Sequence, residues 1–258
     1  MHETNPETVG REELQDVAYD PFELMPAQMP DPPRVCVSSE DVKRVAALAQ
    51  DERWARVGLE RLREAAARSS DLPDELGGNS EPELRTRVLR LAEHNALAHL
   101  LTGEEAFLAR ALACFRLFTT AYLTWPINDY QGRTITYSLG ETRVTCSMAM
   151  TFDMLAPAIQ DSDDAALFRE GLNATREVND LQEHFYCGNH NTWSNVARLS
   201  VGLALGDLQE VHDALYGCDR GRKWRYGLVH HLRHDFFAEG LHWERAPGYH
   251  FYTLMGLA

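Results

Sequence analysis

One feature constrains the fold more than any other: a helical hydrophobic period that recurs almost without interruption from residue 38 to the end of the chain. Ser38-Ser39-Glu40-Asp41 reads as a helix start, with serine as cap and acids in the first turn. Apolar residues then keep helical spacing through "EDVKRVAALAQDERWARVGLERLREAAARSS", and "DLPDELGGNSEP" breaks the pattern. Further helical patterns follow at roughly 82–101, 103–122, 140–158, 162–182, 191–205, 207–217, 221–238 and 247–258. Strand signals are nearly absent; only "DYQGRTITYSLG", residues 129–140, alternates as a short strand pair or a long crossing loop would. Eight to ten helices with short polar breaks predict an all-α fold of antiparallel hairpins. Hairpins of this kind build a bundle, a superhelical repeat or an (α/α) ring. No fixed-period repeat is present, which counts against the solenoid, and periodicity alone does not choose between bundle and toroid.

Charge and composition narrow the partners. The chain carries a formal charge of −14, the wrong sign for a protein that neutralises phosphates, so nucleic acid is not the expected partner. The charge is uneven. Residues 1–33 hold eight acids against Arg11 together with six prolines, and read as an acidic, extended N-terminal arm preceding a domain over 34–258. Residues 217–258 hold six basic residues against four acids and five of the 11 histidines, an end able to hold an anionic substrate in a cleft. No run of about 18 apolar residues occurs, so no membrane span is expected. The opening "MHETNPETVGREELQD" has neither a basic nor an apolar signal region. Five cysteines (36, 114, 146, 187 and 218) lack CxxC pairing and read mostly as buried free thiols. Both features lean towards a cytoplasmic, reducing compartment, although periplasmic or secreted proteins can also lack disulfides. The uncapped apolar pattern of "GYHFYTLMGLA" reads as part of something longer.

Two segments concentrate polar and aromatic chemistry. In "CGNHNTWSNVARLSVGLAL", residues 187–205, Asn189 and Asn191 are placed to cap the helix that follows, with backbone amides aimed at whatever binds there. The plainer alternative makes the asparagines caps only, His190 a satisfied buried histidine and Trp193 core. In "FFAEGLHWERAPGYHFYTL", residues 236–254, Gly240 and Pro247-Gly248 bracket His242-Trp243-Glu244-Arg245 ahead of a helix opening on Tyr249-His250. A tyrosine at a helix start beside Arg and His can have its phenol acidified by positive neighbours and the helix dipole; the alternative is a packing residue with a solvated hydroxyl. "HHLRH", His230, His231 and His234, has a spacing that could hold zinc, but without a carboxylate context it reads better as cleft lining or surface.

Taken together, "GNH" at 188–190 and "ERAPGYH" at 244–250 resemble the heparinase II/III and alginate lyase group of polysaccharide lyases, whose second motif is E-x-[SA]-P-x-YH. "PPRVCVSSEDVKRVAALAQDERWARV" resembles that group's entry into its first helix. "LAHLLTGEEAFLARALACFRLF" is similar to its TG-[DE]-x-x-[YF]-x-x-[RK]-A hairpin, and "ETRVTCSMAMTFDML" to the next inner helix. The likeness runs in order over residues 33–258, although Ala246 stands where the group has serine. It implies an incomplete (α/α) toroid, followed in whole enzymes by β-sandwich domains that this chain lacks and from which a further His or Tyr is often drawn. It also implies β-elimination of uronic-acid-containing polysaccharides, of glycosaminoglycan or alginate type, with Asn189, His190 and Tyr249 on the group's catalytic asparagine, histidine and tyrosine.

The residue types suit that reaction on their own terms. Removing the C5 proton of a 4-linked uronate needs donors to hold the carboxylate and stabilise an enolate-like intermediate, and Asn189 or Asn191 with an imidazole can supply them. A phenol can take the C5 proton or protonate the departing O4, and His190 can act on the opposite epimer. Arg245 is placed to acidify Tyr249 or bind an acidic group, His242 lines the same loop, and Trp193, Trp243 and Tyr252 could stack on sugar faces. No metal is required in this chain; the resemblance leaves room for a divalent one in a following domain. Two other functions compete: a toroid glycoside hydrolase using two of Glu141, Asp153, Glu239 and Glu244, and a non-catalytic carbohydrate-binding helical module.

Overall fold

The computed structural model describes residues 28–67, 72–78, 80–129, 131–134, 138–181, 188–219, 224–237, 240, 242 and 247–257. The first helix among the described residues begins where local chemistry dictates. Ser38 Oγ accepts the Asp41 amide and the Asp41 carboxylate accepts the Ser38 amide, closing a capping box at the start of α1 (Ser39–Asp51). The long pattern that follows is split at Glu52, and α2 (Arg53–Ala67) begins at once. Next come α3 (Pro82–Thr102), opened by proline, and α4 (Glu105–Thr124), joined by a tight turn. The chain continues through α5 (Ser138–Leu155), a 3₁₀ turn (Ala156–Ala158), α6 (Asp163–Leu181), α7 (Asn189–Leu205) and α8 (Leu208–Tyr216). A two-stranded antiparallel hairpin, β1 (Gly217–Asp219) with β2 (Trp224–Tyr226), precedes α9 (Leu228–His234) and α10 (Pro247–Leu257).

Helices touch their alternate neighbours as well as their consecutive ones. In one row α1 meets α3, α3 meets α5, α5 meets α7 and α7 meets α10; in a second row α4 packs on α6. Two rows of alternating antiparallel helices form an all-α, incomplete (α/α) toroid. Antiparallel hairpins make α3, α5 and α7 parallel, so their N-termini share one end of the molecule. Side-chain links at that end agree with this. Arg85, in the first turn of α3, donates to the carbonyls of Gly78 and Arg133, and Glu141, in the first turn of α5, accepts the Thr134 amide at 2.9 Å. Arg133 also pairs with Glu177 near the end of α6 at 3.4 Å.

The core lies between the rows, where Phe115 and Phe168 meet at 4.3 Å and Trp125 stands edge-on to Phe118. Helix α4 is long and apolar enough to cross a membrane by length and composition. Here it is a core helix, burying Phe115, Phe118 and Tyr122 among its neighbours and carrying Arg116 in an ion pair with Asp164. At the other end, the chain before α1 is pinned to α5: Asp153 is buried and accepts the amides of Arg34 and Val35. Pro33 is also buried, while residues 1–27 of the expected arm lie outside the described residues.

The structure corrects two local expectations. The helix expected over 221–238 is instead strand β2 and the short α9, because Gly217–Asp219 and Trp224–Tyr226 pair with each other. No strand forms among the described residues of 129–140, and Ser138 already belongs to α5. Of the five cysteines, Cys114, Cys146 and Cys218 are buried free thiols, Cys36 is exposed and free, and Cys187 lies outside the described residues. Burial pushes the Cys146 thiol up to about 12.

Candidate active site

Helix α7 starts two residues earlier than its apolar pattern indicates, and neither asparagine caps it. Gly188 is the N-cap at φ +146°, a conformation that side chains disfavour, and as a glycine it offers no side chain to cap this end. Asn189 and His190 therefore occupy the first two helical positions, at the positive end of a helix running to Leu205. Asn189 is buried and His190 half-buried.

Asn191 and Asn195 turn inward instead. Asn191 Nδ2 reaches the Tyr226 carbonyl at 3.2 Å and His231 Nε2 at 2.8 Å; Asn195 Nδ2 reaches the same carbonyl at 2.6 Å. Both N–H bonds of the Asn191 amide are thus engaged by the protein. Asp235, at the end of α9, accepts from the other nitrogen of the His231 ring. The second ring of that helix, His230, lies on Tyr226 at 4.3 Å. Burial, then the neighbouring His234 and His231, depress its pKa to about 4, so it is neutral near pH 7.

Trp193 is the hinge between the two segments singled out in the sequence. Its Nε1 donates to the Tyr252 carbonyl at 3.1 Å, and the two rings lie 5.1 Å apart. One turn further along α10, a Cβ on Gly256 would sit 3.3 Å from the Trp193 ring, so glycine permits this close seating. Tyr249 is three residues before Tyr252 and Asn189 four before Trp193, about 5–6 Å along each axis from the contact. Tyr249 is 53% exposed. His242 is buried; its amide donates to His250 Nδ1 at 3.3 Å and its ring meets Phe236 edge-on. The structure thus joins α7 and α10 through Trp193 and Tyr252, with Tyr249, Asn189 and His190 within about two turns of that contact. Arg245, Trp243, Glu239 and Glu244 lie outside the described residues.

Among the described residues no three His, Cys, Asp or Glu side chains are grouped as metal ligands. Of "HHLRH", His230 and His231 are buried and His234 is exposed. Of the four carboxylates considered for hydrolysis, the two that are described are structural. Glu141 and Asp153 share helix α5 and are separated by about 18 Å of helical rise, against the roughly 5–9.5 Å that glycoside hydrolysis needs. Sequence reasoning missed Asp235 and Tyr226. The i,i+4 spacing of His231 and Asp235 was the available signal; the carbonyl of Tyr226 carries none.

No family model matches the chain, and no curated protein does. Among solved structures it is similar to an alginate lyase, a tyrosine-to-phenylalanine variant complexed with a tetrasaccharide, at 15% identity and a TM-score of 0.49. The match covers 75% of this chain and 59% of that one.

Proposed function

We propose that this chain is the helical part of a polysaccharide lyase that cleaves uronic-acid-containing, anionic glycans of glycosaminoglycan or alginate type by β-elimination. The observation that carries the reading is the seating of α10 on α7. On α10 the exposed Tyr249 is about one turn before that contact, and on α7 Asn189 is about one turn before it.

Each group has a task that its chemistry allows. The Asn189 amide and the His190 ring, aided by the positive end of α7, hold the uronate carboxylate and the negative charge that spreads onto it. Tyr249, as phenolate, takes the C5 proton; the C5–H electron pair becomes the C4–C5 double bond as the C4–O4 bond breaks, and the phenol returns the proton to O4. His190 serves as base for the epimer presenting its proton on the other face. Asn191 and Trp193 act behind this layer, since the amide of one is bound to Tyr226 and His231 and the ring of the other to Tyr252. Tyr252 and Arg245 are the proposed contacts to the sugar chain.

The test is product chemistry. A lyase leaves an unsaturated uronate that absorbs in the near ultraviolet, whereas a hydrolase or a binding module does not. The full-length protein that carries this chain, incubated with alginate and with glycosaminoglycans, is expected to release an absorbing product from at least one. Cleavage without absorbance, or binding without cleavage, would contradict the reading.

A further inference from the structure

Asp235, His231 and Asn191 form a buried hydrogen-bonded chain. All three side chains are buried, on two different elements. A carboxylate only accepts, so the His231 nitrogen facing Asp235, Nδ1, carries the proton. Nε2 is then bare and accepts from Asn191 Nδ2 at 2.8 Å. The second Asn191 N–H goes to the Tyr226 carbonyl at 3.2 Å, a group that can only accept. The amide is held in one orientation from both sides. Rotating it would point Oδ1 at a carbonyl oxygen, and moving the His231 proton to Nε2 would oppose two donors. Asn191 is the third residue of α7, immediately after Asn189 and His190, and the N-cap of that helix is a glycine, which has no side chain to cap it. A first turn without an N-cap side chain frays unless other contacts hold it.

We infer that Asp235 and His231 are positioning residues for the lyase site: through Asn191 they fix the first turn of α7, and with it Asn189 and His190. The arrangement has the Asp–His half of a catalytic triad, but its third member is an amide with no proton to lose to a base. It therefore orients and transfers nothing. The inference rests on the lyase reading and adds two residues that touch no substrate.

The test uses the full-length protein and two readouts. In wild type, ¹⁵N NMR of the His231 ring is expected to show one protonated nitrogen, Nδ1, and one bare nitrogen, Nε2; a mixture of tautomers overturns the inference whatever the activity. Kinetically, Asp235→Leu removes the acceptor. It is expected to lower kcat by about 10–100-fold, the scale seen when a partner that orients a functional group is lost, with KM changed by less than about threefold. Asp235→Asn keeps an oxygen able to accept from Nδ1 and is expected to recover most of that loss. A folded Asp235→Leu variant with wild-type kcat overturns the inference and leaves the lyase reading intact. An Asp235→Asn variant as impaired as Asp235→Leu overturns it too. Wild type that forms no unsaturated product removes the reading, and this inference with it.

Discussion

Replacing Trp193 with alanine should release α10 from the rest of the molecule while leaving the remainder folded. The outer side of α10 is bare: Phe251 and Met255 are more than 60% exposed and Leu254 is 38% exposed. What holds the helix is its inner side, where Tyr252 and Gly256 rest on a Trp193 ring that is 7% exposed. Its loss removes one hydrogen bond, worth about 1 kcal/mol, and an aromatic pairing of about 0.5–1.5 kcal/mol. The buried ring area brings the total to roughly 3–5 kcal/mol, as for buried aromatic-to-alanine changes generally. If that loss falls on α10 alone, its undocked population rises by about 10²–10⁴-fold. Amide hydrogen exchange resolved by segment reads this directly: exchange over 250–257 should accelerate by that factor, while α3 to α6 keep wild-type protection. Elimination should fall with it, since Tyr249 rides on the same helix. Wild-type protection over 250–257 in the variant would refute the seating argument.

Two further predictions concern stability. Asp153→Ala strands the part-buried amides of Arg34 and Val35, both bonded to a carboxylate, and should cost about 3–5 kcal/mol, read as a lower urea midpoint at unchanged m. His230 is neutral in the fold, with its pKa depressed from 6.5 to about 4 by burial and by His234 and His231, against which Asp235 acts weakly. The unfolded chain binds the proton first, so this stabilising contribution is full above pH 6.5 and is lost as pH falls towards 4, amounting to about 3 kcal/mol. His230→Phe keeps a ring on Tyr226 and should flatten the stability profile over that window; an unchanged slope would show that another group is responsible.

What the sequence disclosed is what short-range chemistry decides. The Ser38–Asp41 box closes over three residues and was legible, as were the helical periods of α3 to α8, because their apolar positions recur within single segments. Misreadings came where the deciding partner is distant. Asn191 has the residue type and place of a cap, but its partners, Tyr226 and His231, lie on the hairpin and on α9, and burial there outweighs a local cap. The 221–238 stretch carries a helical pattern, yet pairing of β2 with β1 and burial of Arg225 override it. The proximity of "GNHNTW" to "PGYHFY" could be read only from resemblance, since the Trp193–Tyr252 contact that joins them spans 59 residues, across α8, the hairpin and α9.

The central claim is that Tyr249 carries the proton in an elimination. Tyr249→Phe in the full-length protein removes the titratable oxygen and keeps a 53%-exposed ring whose loss of a hydroxyl should leave folding unchanged. With the glycan that wild type cleaves, initial rates of absorbance at the unsaturated product should fall by about 10⁴-fold, the upper end for general acid–base catalysis, because one group serves both proton transfers. A variant that keeps near-normal rates of unsaturated product would contradict the account and move attention to Tyr252.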